Sequence, residues 1–309
     1  MPLFSPSMKY FEQVARHGSI QEAARRMNVA ASAVNRQILN LEQEMCAPLF
    51  ERGPRGMRLT LAGQTLLLDV RRWFADAERL KGTLDAMRGL NSGTVRIATM
   101  GCFERGFLPD LVASFTAKHS SVRFEIQITG TTASLDLLVS GEVDLALAFN
   151  LPNRRDIQKF AAQPWPIGVV MHDQHPLARQ ETLRLVDCVP YDVLLPGDTL
   201  ALSTIVRDLL ARMGERRPPS VTTNSVSVMK SMIQRTTALG FMTRIDAQPE
   251  VDGNGLVFVE LAERNLPVDI LSLAARRDRA PLPAVDSFTQ VMLQALEGST
   301  ASSSGICQG

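Results

Sequence analysis

Apolar positions in the first part of the chain recur at helical spacing. Val34, Ile38, Leu41 and Met45 fall four, three and four apart, which places them on one face of a helix. The opposite face carries Ser32, Asn35, Arg36 and Asn40. Upstream, Tyr10, Phe11, Val14 and Ala15 predict a helix over Lys9–His17 that Gly18 stops. Ser19 and Glu22 have the spacing of a capping box for a second helix running to about Met27, with Ala23 and Ala24 small enough for a close helix crossing. Downstream, Gly53-Pro54 and Gly56 separate two short extended runs between Pro48 and Thr60. From Leu66 the spacing changes again. Leu66, Val70, Trp73, Ala77, Leu80, Leu84 and Met87 alternate in steps of four and three, the 3.5-residue repeat of a coiled-coil seam.

Helix, tight turn and helix with small residues at the crossing is a helix-turn-helix. The helix over Ser32–Met45 has one dry stripe and one amide-and-guanidinium face, which suits a DNA major groove. The loop after it presents Arg52, Arg55 and Arg58 as a basic wing. A helix as long and polar as Thr60–Leu90 finds little to pack against in its own chain. It therefore implies a second copy, and Asn91-Ser92-Gly93 reads as the hinge that ends it.

Beyond residue 93 the pattern becomes that of an α/β protein. Strands are expected at 94–99, 122–129 and 143–149, with helices at 108–118 and 132–140 between them. A second unit has strands at 166–172, 192–195, 220–224, 241–243, 256–261 and 268–275. Its helices begin at Leu183, at Ser203 and at Ser225, which caps, and a closing helix spans Pro283–Glu297. The Ser-rich tail 298–309 is expected to be disordered.

The net charge of +1 hides an asymmetry. Residues 1–90 carry 13 basic against 9 acidic residues, so +4, and the remainder carries 20 against 23, so −3. The basic end is the one with the groove-reading pattern. No apolar run approaches a membrane span, and Met1–Lys9 lacks the blocks of a signal peptide, so the expectation is a cytoplasmic protein with no membrane contact. Cys46, Cys102, Cys188 and Cys307 form neither a zinc motif nor a disulfide scaffold, and no cofactor or metal is expected.

The N-terminal ninety residues resemble LysR-type transcriptional regulators. The resemblance rests on Phe11, Ser19, Ala23-Ala24, Val34-Asn35-Arg36-Gln37-Ile38, Leu41-Glu42, Pro48-Leu49-Phe50-Glu51-Arg52 and Leu59-Thr60-x-Ala62-Gly63. It implies a winged helix-turn-helix over 1–60, a dimerising linker helix over 61–90 and an effector-binding domain over 91–297. That domain is expected to have the two-subdomain periplasmic-binding-protein fold, with subdomain I at about 91–162 and 268–297 and subdomain II at about 163–267. The fold class is thus α+β multidomain. The implied partners are double-stranded DNA, a small-molecule effector, and further copies of the chain in a homodimer and then a homotetramer.

Residues at the DNA are expected to be Ser32, Asn35, Arg36, Asn40, Arg52 and Arg55, with Arg36 and Arg55 at positions the family uses for groove contact. The chain departs from the family at Ala30, Ala31, Asn35 and Cys46. Ala30 cannot cap the reading helix, Ala31 cannot make the amide contact to a base edge that Gln makes, and Cys46 replaces the glycine of a left-handed cap, so half-site preference should be shifted. The rule that ligands of open α/β sheets sit at strand carboxyl ends selects Thr99, Gly101, Cys102, Gly130, Thr131, Phe149, Asn224 and Thr243 for the effector. Arg96, Arg105 and Arg244 leave a carboxylate effector open. A thiol near a helix N-terminus can be a redox sensor, but no resolving partner for Cys102 is evident. The favoured function is an effector-controlled transcriptional regulator with no catalytic residues. The competing readings are a cytoplasmic binding protein or enzyme with an accessory DNA-binding head, and a DNA-binding protein without a ligand. The sequence has no phosphate loop, metal cluster or nucleophile elbow to favour an enzyme.

Overall fold

The structure, a computed structural model, describes residues 5–53, 56–87, 93–198, 200, 202–214, 219–253, 255–263, 266 and 268–304. The chain divides into two compact units at Met87. The first contains α1 (Pro6–His17), α2 (Ile20–Met27), α3 (Ala31–Glu44), β1 (Phe50–Gly53), β2 (Gly56–Leu59) and α4 (Leu61–Met87). Its core is Phe11, Val14, Ala23, Ala24, Val34, Ile38 and Leu41 from the three short helices, closed by Leu49, Phe50, Leu67 and Val70. The small Ala23 and Ala24 are buried where α2 meets its neighbours, as the close crossing requires. Met45 does not join them. It is the C-cap of α3 and is 41% exposed, so the stripe ends at Leu41.

Ser19 caps α2 by accepting from the Glu22 amide at 3.4 Å. The return half of the capping box does not form, because Arg25 and Arg26 take the Glu22 carboxylate at 2.8–2.9 Å. Those guanidinium groups hold the Glu22 carboxyl down at about 2. The hairpin of β1 and β2 pairs Gly53 with Gly56. Gly56 has φ +110°, and a Cβ there would collide with the Gly18 carbonyl oxygen, which already accepts from the Met57 amide at 2.8 Å. Gly63 costs helix propensity but allows α4 to start directly against the Leu49 carbonyl, where a Cβ has no room. Thr60 caps that start, donating to the Pro48 carbonyl at 2.7 Å and accepting from the Gly63 amide at 3.0 Å.

The second unit contains β3 (Gly93–Thr99), α5 (Phe107–Lys118), β4 (Val122–Ile128), α6 (Thr131–Ser140), β5 (Leu145–Phe149) and β6 (Ile157–His172). After these come β7 (Thr182–Leu183), α7 (Leu185–Cys188), β8 (Leu195–Pro196), α8 (Ser203–Met213), β9 (Thr222–Thr223), α9 (Val226–Ile233) and β10 (Gly240–Thr243). The chain ends with α10 (Arg244–Asp252), β11 (Leu256–Leu261), β12 (Val268–Arg276) and α11 (Pro283–Ser304). Strands β4, β3 and β5 are parallel, and β12 runs antiparallel to both β5 and β6. Strand β6 extends over 16 residues rather than beginning at Pro166. Its first half pairs with β12, and its second half pairs with β10 and β11. It therefore serves two sheets, each with its own apolar core. The expected subdomain boundaries near 162 and 268 fall on this shared strand and on β12.

Strand β5 is buried at every position, as an interior parallel strand should be. Helix α11 runs to Ser304, across the first part of the tail expected to be disordered; Ala and Ser are tolerated in a helix, and 305–309 lie outside the described residues. The expected hinge at Asn91-Ser92 also lies outside them. Among the described residues no helix is long and apolar enough to cross a membrane, and no group of three or more His, Cys, Asp or Glu could hold a metal ion.

Candidate functional site

Two regions concentrate exposed or cavity-facing chemistry, one in each unit. In the first unit, Val34, Ile38 and Leu41 bury one side of α3, which leaves Ser32, Arg36 and Asn40 exposed on the other. The helix starts at Ala30 with no side-chain cap, so its first amides remain open to an outside acceptor such as a phosphate oxygen. Asn35 is half-buried, and its Oδ1 accepts from Arg52 Nη2 at 3.0 Å. That bond ties the wing to the reading helix and uses one of the two acceptor positions of the Asn35 oxygen. Glu42 reinforces the tie by accepting from the Leu49 and Phe50 amides at 2.8 and 3.1 Å. Arg58 is exposed on β2; Arg55 lies outside the described residues. Cys46 sits at φ +50°, so the left-handed turn after α3 exists and carries a Cβ.

The expected seam of α4 divides in two. Val70 is fully buried in the unit's own core, so it is not available to a second helix, and Leu66 packs half-buried against that core. Trp73, Leu80 and Leu84 are 40–50% exposed, and Ala77 lies between them half-buried. The side chain of Met87 lies outside the described part of the structure.

In the second unit, a cavity of about 260 Å³ opens at the carboxyl ends of β3, β4, β5 and β9. Of the expected effector residues, Gly101, Cys102, Gly130, Phe149 and Asn224 line it. Three do not. Thr99 Oγ1 donates to the Leu147 carbonyl at 3.0 Å, Thr131 Oγ1 to the Phe149 carbonyl at 2.9 Å, and Thr243 Oγ1 to Asp246 Oδ2 at 2.6 Å. Each hydroxyl is spent on the framework. The three arginines considered for a carboxylate are also committed elsewhere. Arg96 pairs with Glu125 at 3.0 Å, Arg105 with Glu250 at 3.7 Å, and Arg244 lies 5.2 Å over the Phe258 ring.

The sequence reading missed the acids. Asp246, in the first turn of α10, and Asp269, at the start of β12, both line the cavity and are 2% and 1% exposed. Asp246 Oδ2 accepts from the Thr243 amide and hydroxyl, and the Cys102 thiol also donates to this carboxylate. Burial still pushes the Asp246 carboxyl above its usual range. Asp269 Oδ1 accepts from Asn150 Nδ2 at 2.6 Å, and its Oδ2 has no partner among the described residues. Burial, with the nearby Asp246 charge adding to it, pushes the Asp269 carboxyl up to about 6. Behind Asp246, the buried Lys230 donates to the Asp246 carbonyl at 2.8 Å and to Glu250 Oε2 at 2.6 Å.

Cys102 is buried beside these acids. Desolvation and the Asp246 charge push its thiol well above the usual range. A redox-sensing thiol needs the opposite, an accessible and easily ionised sulfur, so the helix-end argument is overridden here by burial.

Comparison with known proteins agrees with this division into two units. Residues 6–64 match the model described as bacterial regulatory helix-turn-helix protein, lysR family, and residues 88–297 match the LysR substrate binding domain. The RuBisCO operon transcriptional regulator of Allochromatium vinosum is 30% identical over 178 residues, which cover 58% of this chain and 59% of that one. A probable RuBisCO transcriptional regulator of Cyanidioschyzon merolae is 23% identical over 299 residues, 95% of this chain and 98% of that one. Among solved structures, a full-length OxyR variant from Pseudomonas aeruginosa superposes with a TM-score of 0.70 at 16% identity, covering 96% and 95% of the two chains. Full-length CbnR in complex with its target DNA superposes at 0.63 and 20% identity, covering 94% and 98%.

Proposed function

Because the chain belongs to the lysR family of bacterial helix-turn-helix regulators, we propose that its first unit reads DNA and its second reports the presence of a small ligand. As a transcriptional regulator with an effector-binding domain, it has both parts such a switch needs. The observation that carries the reading is the cavity at the strand ends, lined by Gly101, Cys102, Gly130, Phe149 and Asn224, in a chain that also has an exposed polar face on α3.

Ser32, Arg36 and Asn40 contact the major groove. Arg52 contacts the backbone while holding Asn35, and Arg55 reaches the minor groove. The exposed stripe of Trp73, Ala77, Leu80 and Leu84 pairs with its copy in a homodimer, and dimers associate into a homotetramer. Ligand binding changes the spacing of the DNA-reading units, and the protein works in the cytoplasm without catalysis. The family match across 6–64 and 88–297 supports this assembly over a binding protein or enzyme with an accessory head.

The experiment is selection of binding sites from random duplexes with the full-length protein, followed by binding of the selected site by Arg36→Ala. A single selected motif and a loss of about 1–3 kcal/mol with relaxed specificity are expected for a base-reading arginine. No enriched motif, or an unchanged Arg36→Ala, would refute the reading role of α3.

A further inference from the structure

Among the described residues, the cavity wall carries three carboxylates, Glu104, Asp246 and Asp269, and neither Lys nor Arg. Two cations paired with the acids of this region are already engaged: Lys230 with Glu250 and the Asp246 carbonyl, Arg105 with Glu250. Counting Glu250, four acids face two bases. Such a wall repels an anion. It also contains an unfilled hydrogen-bonding position: Asp269 is buried, Asn150 satisfies its Oδ1, and its Oδ2 has no partner among the described residues. A buried carboxylate oxygen left without a donor is costly, and folded proteins rarely keep one without a reason.

The rest of the wall says what kind of donor fits. Ile128, Phe149, Leu200, Leu202 and Val226 make it largely apolar. A magnesium or calcium ion needs six or more oxygen ligands at short range, which this wall does not offer. At about 260 Å³ the space is smaller than the pockets that take drug-sized ligands. We propose that the cavity binds a small organic ammonium ion, donating N–H to Asp269 and laying its carbon skeleton against Phe149, Leu200 and Leu202. The proposal rests on the reading of this cavity as the effector site and adds the chemical class of the effector.

The test uses the full-length protein in an amine-free buffer near pH 7.5. Thermal melting and calorimetric titration are run against the standard amino acids, aliphatic mono- and diamines, and carboxylates and alcohols of matching skeleton, with magnesium and calcium alone as controls. At least one ammonium compound should raise the melting temperature and bind, while its matched acid and alcohol do not. Amino acids responding without plain amines would add a carboxylate contact at Ser225–Ser227; plain amines responding would exclude that need. Asp269→Asn should weaken the ammonium ligand roughly tenfold or more, the loss of one charge-assisted hydrogen bond. Its own melting temperature, at or above that of the parent, shows that it folds.

The inference fails if no ammonium compound binds, if Asp269→Asn binds it unchanged, or if magnesium or calcium produces the same shift. If a carboxylate or neutral compound binds instead and alters DNA affinity, the effector site stands and only its chemical class is wrong. If nothing in the panel alters melting or DNA affinity, both readings fall.

Discussion

Asp269 destabilises the protein in which it sits, and the effect has a definite pH window. Its carboxyl is near 3.8 in an unfolded chain and about 6 when folded. A group that binds its proton more tightly when folded favours folding at low pH. That favour is lost as pH rises from about 3.8 through about 6, and above it the ionised buried group costs roughly 3 kcal/mol, since each tenfold change in proton affinity between the two states is worth about 1.4 kcal/mol. Asp269→Asn removes the charge and keeps the oxygen that accepts from Asn150 Nδ2. Burying an amide N–H where the unpartnered carboxylate oxygen stood takes back about 1 kcal/mol. The net gain is about 1–2 kcal/mol, or roughly 2–8 °C in melting temperature for a unit of this size. Scanning calorimetry of parent and variant at pH 4.5 and pH 8 reads it directly. The variant should melt higher at pH 8 and indistinguishably at pH 4.5. An equal gain at both pH values, or a loss at pH 8, would refute the claim that Asp269 is an uncompensated charge. The titratable groups lining the same cavity are Glu104, Asp246 and Cys102, with Lys230 and Glu250 behind Asp246; of these, Asp246 is the one whose charge raises the Asp269 carboxyl, so it is relieved in turn by the substitution.

Three further outcomes follow from local geometry. Cys46→Gly relieves a left-handed residue bearing a Cβ and should stabilise the first unit by up to about 1 kcal/mol, read as a shift in urea midpoint without change in slope. Gly63→Ala places a Cβ into the Leu49 carbonyl and should destabilise by about 1–3 kcal/mol despite its better helix propensity; a gain in stability would mean that α4 does not start against that carbonyl. Lys230→Met leaves Glu250 and the Asp246 carbonyl without their buried donor and should cost about 3–5 kcal/mol, seen as a large fall in melting temperature at neutral pH.

The first unit was almost fully legible in the sequence because its helices are amphipathic and its turns carry Gly18, Gly53 and Gly56. The pattern misled where one helix serves two purposes. Val70 continues the heptad register of α4, but the turn at Thr60 directs its part of the helix onto the chain's own core, and among the described seam residues Trp73, Leu80 and Leu84 stay exposed. Periodicity identifies an apolar face but not what covers it. The expectation that Ala30 leaves α3 without a side-chain cap held, and the left-handed position expected to be strained by Cys46 is the one Cys46 occupies.

In the second unit, the strand-end rule located the cavity but chose some of its lining wrongly. Thr99, Thr131 and Thr243 stand at the right strand ends, yet a hydroxyl near a free backbone carbonyl or a carboxylate is used locally before a ligand can claim it. Asp269 was missed because the rule considers only carboxyl ends. Strand β12 is antiparallel to β5, so its amino end lies beside the carboxyl end of β5, with Asn150 bonded to Ile270 and Asp269. A lone acid at the head of the run 268–275, which is otherwise apolar but for Ser272, was the available signal. Asp246 was missed with its whole helix, since the Gln248-Pro249 pair reads as a break.

Occupancy of the cavity in the second unit is proposed to govern how the first unit holds DNA. The most direct measurement is fluorescence anisotropy of the full-length protein on its selected duplex, titrated with and without a saturating ligand whose binding is established by calorimetry. The predicted result is a change in DNA affinity or footprint of roughly 5–150-fold, with the reciprocal change in ligand affinity when DNA is bound. A ligand that fills the cavity while DNA affinity, footprint and ligand affinity all stay the same would contradict it.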